Sequence, residues 1–61
     1  MQLVTTPNIV DPDGFYQELI DSQRDLHAED ASTMNARLVL LLANHIGNRD
    51  VLREAIHHAR N

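Results

Sequence analysis

Hydrophobic positions along the chain fall into three stretches at helical spacing, after an opening segment that lacks it. In residues 1–10, Leu3, Val4, Ile9 and Val10 alternate irregularly with polar residues. Pro7 and the β-branched Val4, Thr5, Thr6, Ile9 and Val10 disfavour a helix there. The expectation is an extended arm that lays its apolar residues across a surface. At Asp11 the pattern changes. Asp11 suits an N-cap, Pro12 the first helical position, and Asp13 the positive end of the helix dipole. Phe15, Leu19 and Leu26 then fall within about 40° of one another at 100° per residue, with Tyr16 and Ile20 on the flank. This predicts a first helix over about 12–26.

A second helix is predicted over 28–46, with Glu29 and Asp30 in its first turn and Gly47 as the residue that ends it. A third runs over 49–60, with Asn48 as N-cap and Asp50 in its first turn. Val51, Leu52, Ala55, Ile56 and Ala59 make its apolar face. The linkers are short, so neighbouring helices should fold back on each other. No strand pattern of period two and no internal repeat is present. The fold class expected is all-α: a compact three-helix bundle over 11–61 as one domain, with 1–10 as its arm.

The unbroken run Leu38-Val39-Leu40-Leu41-Leu42-Ala43 is the least ordinary feature. With Leu38 at 0°, Ala31, Met34, Leu41, Leu42 and His45 lie within about 60° on either side, a stripe fit for a core. Leu40 does not belong to it. It points to the far side, near Ala36 and Ala43 and flanked by Arg37 and Asn44. Small residues around one Leu, edged by an Arg and an Asn, suit a close helix–helix contact. Arg37, Leu40 and Asn44 are therefore the candidate interface, with Phe15 and Tyr16 as a secondary one. The bland alternative is that the arm covers Leu40, or that it is a lone exposed Leu. Asn35 and His45 fall inside the core arc, where an unpartnered polar group costs about 1–3 kcal/mol. Each is expected to be buried and hydrogen-bonded, or else functional.

Length and composition narrow the chemistry. At 61 residues, a chain buries only about 60% of the surface its unfolded form exposes, so a staple or a partner is usual. Cys is absent, which removes disulfides and thiolate metal sites and fits a reducing compartment. The start lacks the basic and apolar regions of a signal peptide, and the apolar run is far short of the roughly 20 residues of a membrane span. A cytoplasmic protein is expected, with no membrane partner.

Net charge is −4, unevenly divided. Residues 11–30 carry Asp11, Asp13, Glu18, Asp21, Asp25, Glu29 and Asp30 against Arg24 alone. Residues 31–61 carry Arg37, Arg49, Arg53 and Arg60 against Asp50 and Glu54. The two halves either attract each other within the fold or face different partners.

No catalytic residues and no cofactor are expected. A chain this short does not easily enclose the roughly 300 Å³ or more of a ligand pocket, and no Gly-rich phosphate loop or nucleophile–base pair is evident. Metal binding would have to use His45, Glu54 and His58. Glu54 and His58 are an i, i+4 pair, more often an ion pair than a ligand set. Nucleic-acid binding is the sharper rival. Ala43, Gly47 and the third helix match part of a helix-turn-helix register, and Arg49, Arg53, His57 and Arg60 share a face. Against it stand the overall acidity, the absence of Lys, and polar Asn48 and Arg53 where that motif wants apolar residues. Association with a protein, a second copy included, is the function expected.

The segments "DPDGFY" (11–16) and "NARLVLLLANHIGNRDVLREA" (35–55) resemble a family of short bacterial proteins that carry a domain of unknown function. Asn35, Arg37, Asn44, His45 and Gly47 match its pattern. His27 to Asp30 depart from it, where a Ser or Thr cap is common. The resemblance implies an accessory subunit encoded beside flavin-dependent aromatic hydroxylases of degradation clusters. It implies no catalytic residues.

Overall fold

The computed structural model describes residues 1–61 as three helices joined by short links. They are α1 (Pro12–Ser22), α2 (Ala28–Ile46) and α3 (Arg49–Arg60), with no strand. The architecture is all-α, a small helical bundle preceded by an arm with no regular structure. Its helix signals are local ones.

Asp11 adopts a left-handed conformation (φ 50°) and its carboxylate accepts from the Gly14 amide at 3.2 Å. Asp tolerates that region better than most residues. A Cβ at position 14 would collide with the Asp11 carboxylate, so Gly14 allows the cap to close. α2 begins at His27 with no side-chain cap, and Glu29 and Asp30 face the dipole instead. It ends at Gly47, whose φ of 74° is the left-handed turn that glycine permits, with its amide donating to the Ala43 carbonyl at 2.9 Å.

Asn48 then caps α3, its Oδ1 accepting from the Val51 amide at 3.0 Å. Val51 is the one buried residue. Loss of this cap leaves a part-buried amide without a partner. Asn48→Ala should therefore cost about 1–2 kcal/mol, read as faster amide hydrogen exchange in the first turn of α3. Unchanged exchange there would show that the cap is not the bond that holds α3.

α1 is shorter than the pattern predicts. It stops at Ser22 rather than 26. Ser22 Oγ turns back to donate to the Leu19 carbonyl at 2.6 Å, and Gln23 Nε2 donates to Asn35 Oδ1 at 2.7 Å. The backbone continues in tight turns, Gln23 to Ile20, Arg24 to Asp21 and Leu26 to Gln23. The Ser22 bond, made to a backbone carbonyl, competes with the helical ladder. Leu26 consequently leaves the α1 stripe.

Packing is sparse. α2 and α3 approach each other at their shared corner, while no α-carbon of α1 lies within 8 Å of one in α2 or α3. The arm lies over the α2–α3 corner, where Leu3 and Val4 share a cleft with Ile46 and Val51. The exposed surface is 5770 Å², against roughly 4,000 Å² for a folded monomer of this mass. The radius of gyration is 13.2 Å, against about 10.5 Å for a compact chain of this length. Both measures describe helices that have formed but have not closed on a core of their own.

Candidate association surface

α2 carries the surface. Val39, Leu40, Leu41 and Leu42 are 64%, 69%, 69% and 51% exposed. Successive helical residues are about 100° apart, so these four point to nearly every side of α2, and a single chain covers none of them. Over this turn α2 is apolar all round, the pattern of a helix segment that neighbours surround.

The exposed ring divides into two parts. On one side Val39, Leu42, Ala43 and Ile46 of α2 form an open apolar groove with Leu52, Ala55 and Ile56 of α3, about 400 Å³ in volume. On the other, Arg37, Leu40, Leu41 and Asn44 line a shallow depression. Arg37, Leu40 and Asn44, singled out by spacing, are thus brought together, with Leu41 added to them. The arm does not cover Leu40, which touches the groove as well. Phe15 and Tyr16 are exposed on α1 but stand apart from this strip.

The expectation of burial at Asn35 and His45 is corrected: both are exposed. Asn35 is satisfied by Gln23 across the α1–α2 link. Asn35 is open because α1 does not pack on α2; for His45 the cause is the side of α2 that α3 takes. α3 packs towards Val39, Ala43 and Ile46, about 100° from Leu38, and leaves the arc of Leu41 and His45 open. Only Ala31, Met34 and Leu38 of the expected core stripe are half-buried. The small face of Ala36, Leu40 and Ala43 is likewise not separate, because Ala43 belongs to the groove. Val39, Leu42 and Ile46 were missed as surface residues because the pattern assigns every apolar position near the stripe to a core.

Charge follows the same logic. The ion pairs are Arg24 with Asp21 and Arg53 with Asp50 at 3.5 Å, each between residues three apart. None joins the acidic half to the basic half, so their attraction is not used within the chain. No group of three His, Asp or Glu side chains is placed to hold a metal, His45, Glu54 and His58 included. His57 stands edge-on to His58, ring centres 6.3 Å apart, and contacts Asn61. Arg49, Arg53 and Arg60 are exposed. No helix is long and apolar enough to cross a membrane.

Comparison with known proteins places the chain in one family. The family described as protein of unknown function DUF2783 matches residues 3–61, nearly the whole chain, and the protein belongs to it. No curated protein and no solved structure matches.

Proposed function

We propose that this DUF2783 protein is a non-catalytic association module of the bacterial cytoplasm, working as a small accessory subunit or homo-oligomer. The observation that supports this is the exposure of Val39 to Leu42 around α2. Apolar area removed from water is worth about 25 cal/mol per Å², and exposed contiguous patches beyond a few hundred Å² mark interaction sites. The groove between α2 and α3 suits an apolar helix of a partner. As that partner we propose a flavin-dependent aromatic-degradation enzyme, the expectation carried by the sequence resemblance alone.

The test is the solution mass of the full chain at micromolar concentration, alone and mixed with such an enzyme. A mass above 6.9 kDa in either sample is the expected result. A cooperatively folded 6.9 kDa species in both, binding no hydrophobic dye, would sink the proposal.

A further inference from the structure

We infer that the strip Arg37, Leu40, Leu41 and Asn44 pairs with the same strip of a second copy, α2 against α2 in antiparallel, about a two-fold axis between Leu40 and Leu41. The inference rests on the association reading above and names the occupant of one surface.

The spacing supports it first. The four residues follow each other at three, one and three positions, the same in either direction along the helix. An antiparallel two-fold therefore sets Leu40 opposite the partner's Leu41, and Arg37 opposite the partner's Asn44. Each contact occurs twice, which is the self-complementarity that an isologous interface requires. The Arg37 guanidinium donates and the partner's Asn44 carbonyl accepts, so the polar ends of the strip satisfy each other. The spacing is that of any helical stripe; what suits a second copy is the donor Arg37 at one end and the acceptor Asn44 at the other.

Charge supports the direction. Asp30 lies on the same side of α2, about 80° from Leu38, at the acidic end of the helix. An antiparallel pair carries it towards the α2–α3 corner of the second copy, which bears Arg49 beside an Asp50 already paired with Arg53. A parallel pair would set acidic end beside acidic end.

Area supports the extent. Each chain exposes roughly 1,800 Å² more than a compact monomer of its mass. A standard interface covers about 800 Å² per partner, and obligate dimers cover more. That excess belongs to the whole chain, and Leu40 and Leu41, each 69% exposed, are the apolar part of it on the strip.

The chain has no Cys, so single labelling sites are unambiguous. Full-length Glu29→Cys and His45→Cys, each carrying a nitroxide, give the distances between copies by dipolar spectroscopy, with mass by sedimentation. The antiparallel dimer predicts a separation about 20 Å longer at position 29 than at 45, from the 1.5 Å helical rise. Arg37→Glu should weaken the dimer about ten-fold, and Arg37→Glu with Asn44→Arg should restore it, since the new charges meet only across the axis. Equal separations at the two sites, or no rescue in the double variant, overturn the inference. A chain that gains mass only when mixed with the enzyme also overturns it while leaving the association reading standing. A folded monomer in every sample ends both.

Discussion

Each ten-fold dilution of the protein should lower its melting temperature by about 5–6 °C. The reason is that one chain has so little to hold it folded alone: Val51, at 6% exposure, is its whole buried core. If the apolar ring of α2 closes only against a second copy, folding and assembly are one equilibrium, and stability carries a concentration term. Unfolding enthalpy is about 0.7 kcal/mol per residue, or about 85 kcal/mol for two chains of this length. With that enthalpy, a factor of ten in concentration shifts the midpoint by the amount stated. Circular dichroism at 222 nm over a hundred-fold range of concentration measures it. A midpoint that stays constant over that range would mean that the chain folds as a monomer.

Leu40→Asp should weaken self-association by about two to four orders of magnitude. Each buried Leu side chain is worth about 1.5–3 kcal/mol, and a symmetric dimer loses two. The new carboxylates also face each other near the axis, with no cation beside them but the Arg37 side chains. If folding and assembly are one equilibrium, helicity at micromolar concentration falls as well. Ile56→Asp is the control. Ile56 is as exposed as Leu40 and shares the groove with it, but lies on α3 and does not line the depression of Arg37, Leu41 and Asn44. It should leave the dimer intact and weaken only a partner that docks in the groove. If the two variants dissociate the dimer equally, the groove and not the strip is the seam between copies. If Leu40→Asp leaves the mass unchanged, Leu40 is not at the interface at all.

Features that depend on residues close together in the chain can be read without the fold. Asp11 and Pro12 start α1, Gly47 ends α2 and Asn48 starts α3, because each of these bonds forms within four positions. The all-α class follows from the same local periodicity. Leu40 could be recognised as off the core stripe because helical angle alone places it there, with Arg37 and Asn44 on its edge. The end of α1 was not legible: the apolar stripe runs on to Leu26, while the backbone turns away after Ser22 through the Gln23, Arg24 and Leu26 amides. The tertiary structure alone decided which flank of α2 receives α3. Val39, Ala43 and Ile46 and the Leu38–Leu41–His45 arc are both apolar enough to be chosen, and periodicity does not rank them. The Gly47 turn and the Asn48 cap aim α3 at the first. That choice leaves His45 and Leu41 in the open and joins Ala43 to the groove. An unbroken apolar run reads in sequence as a core, and it is one only when enough chain surrounds it. Here the three helices of one molecule are too few to do so.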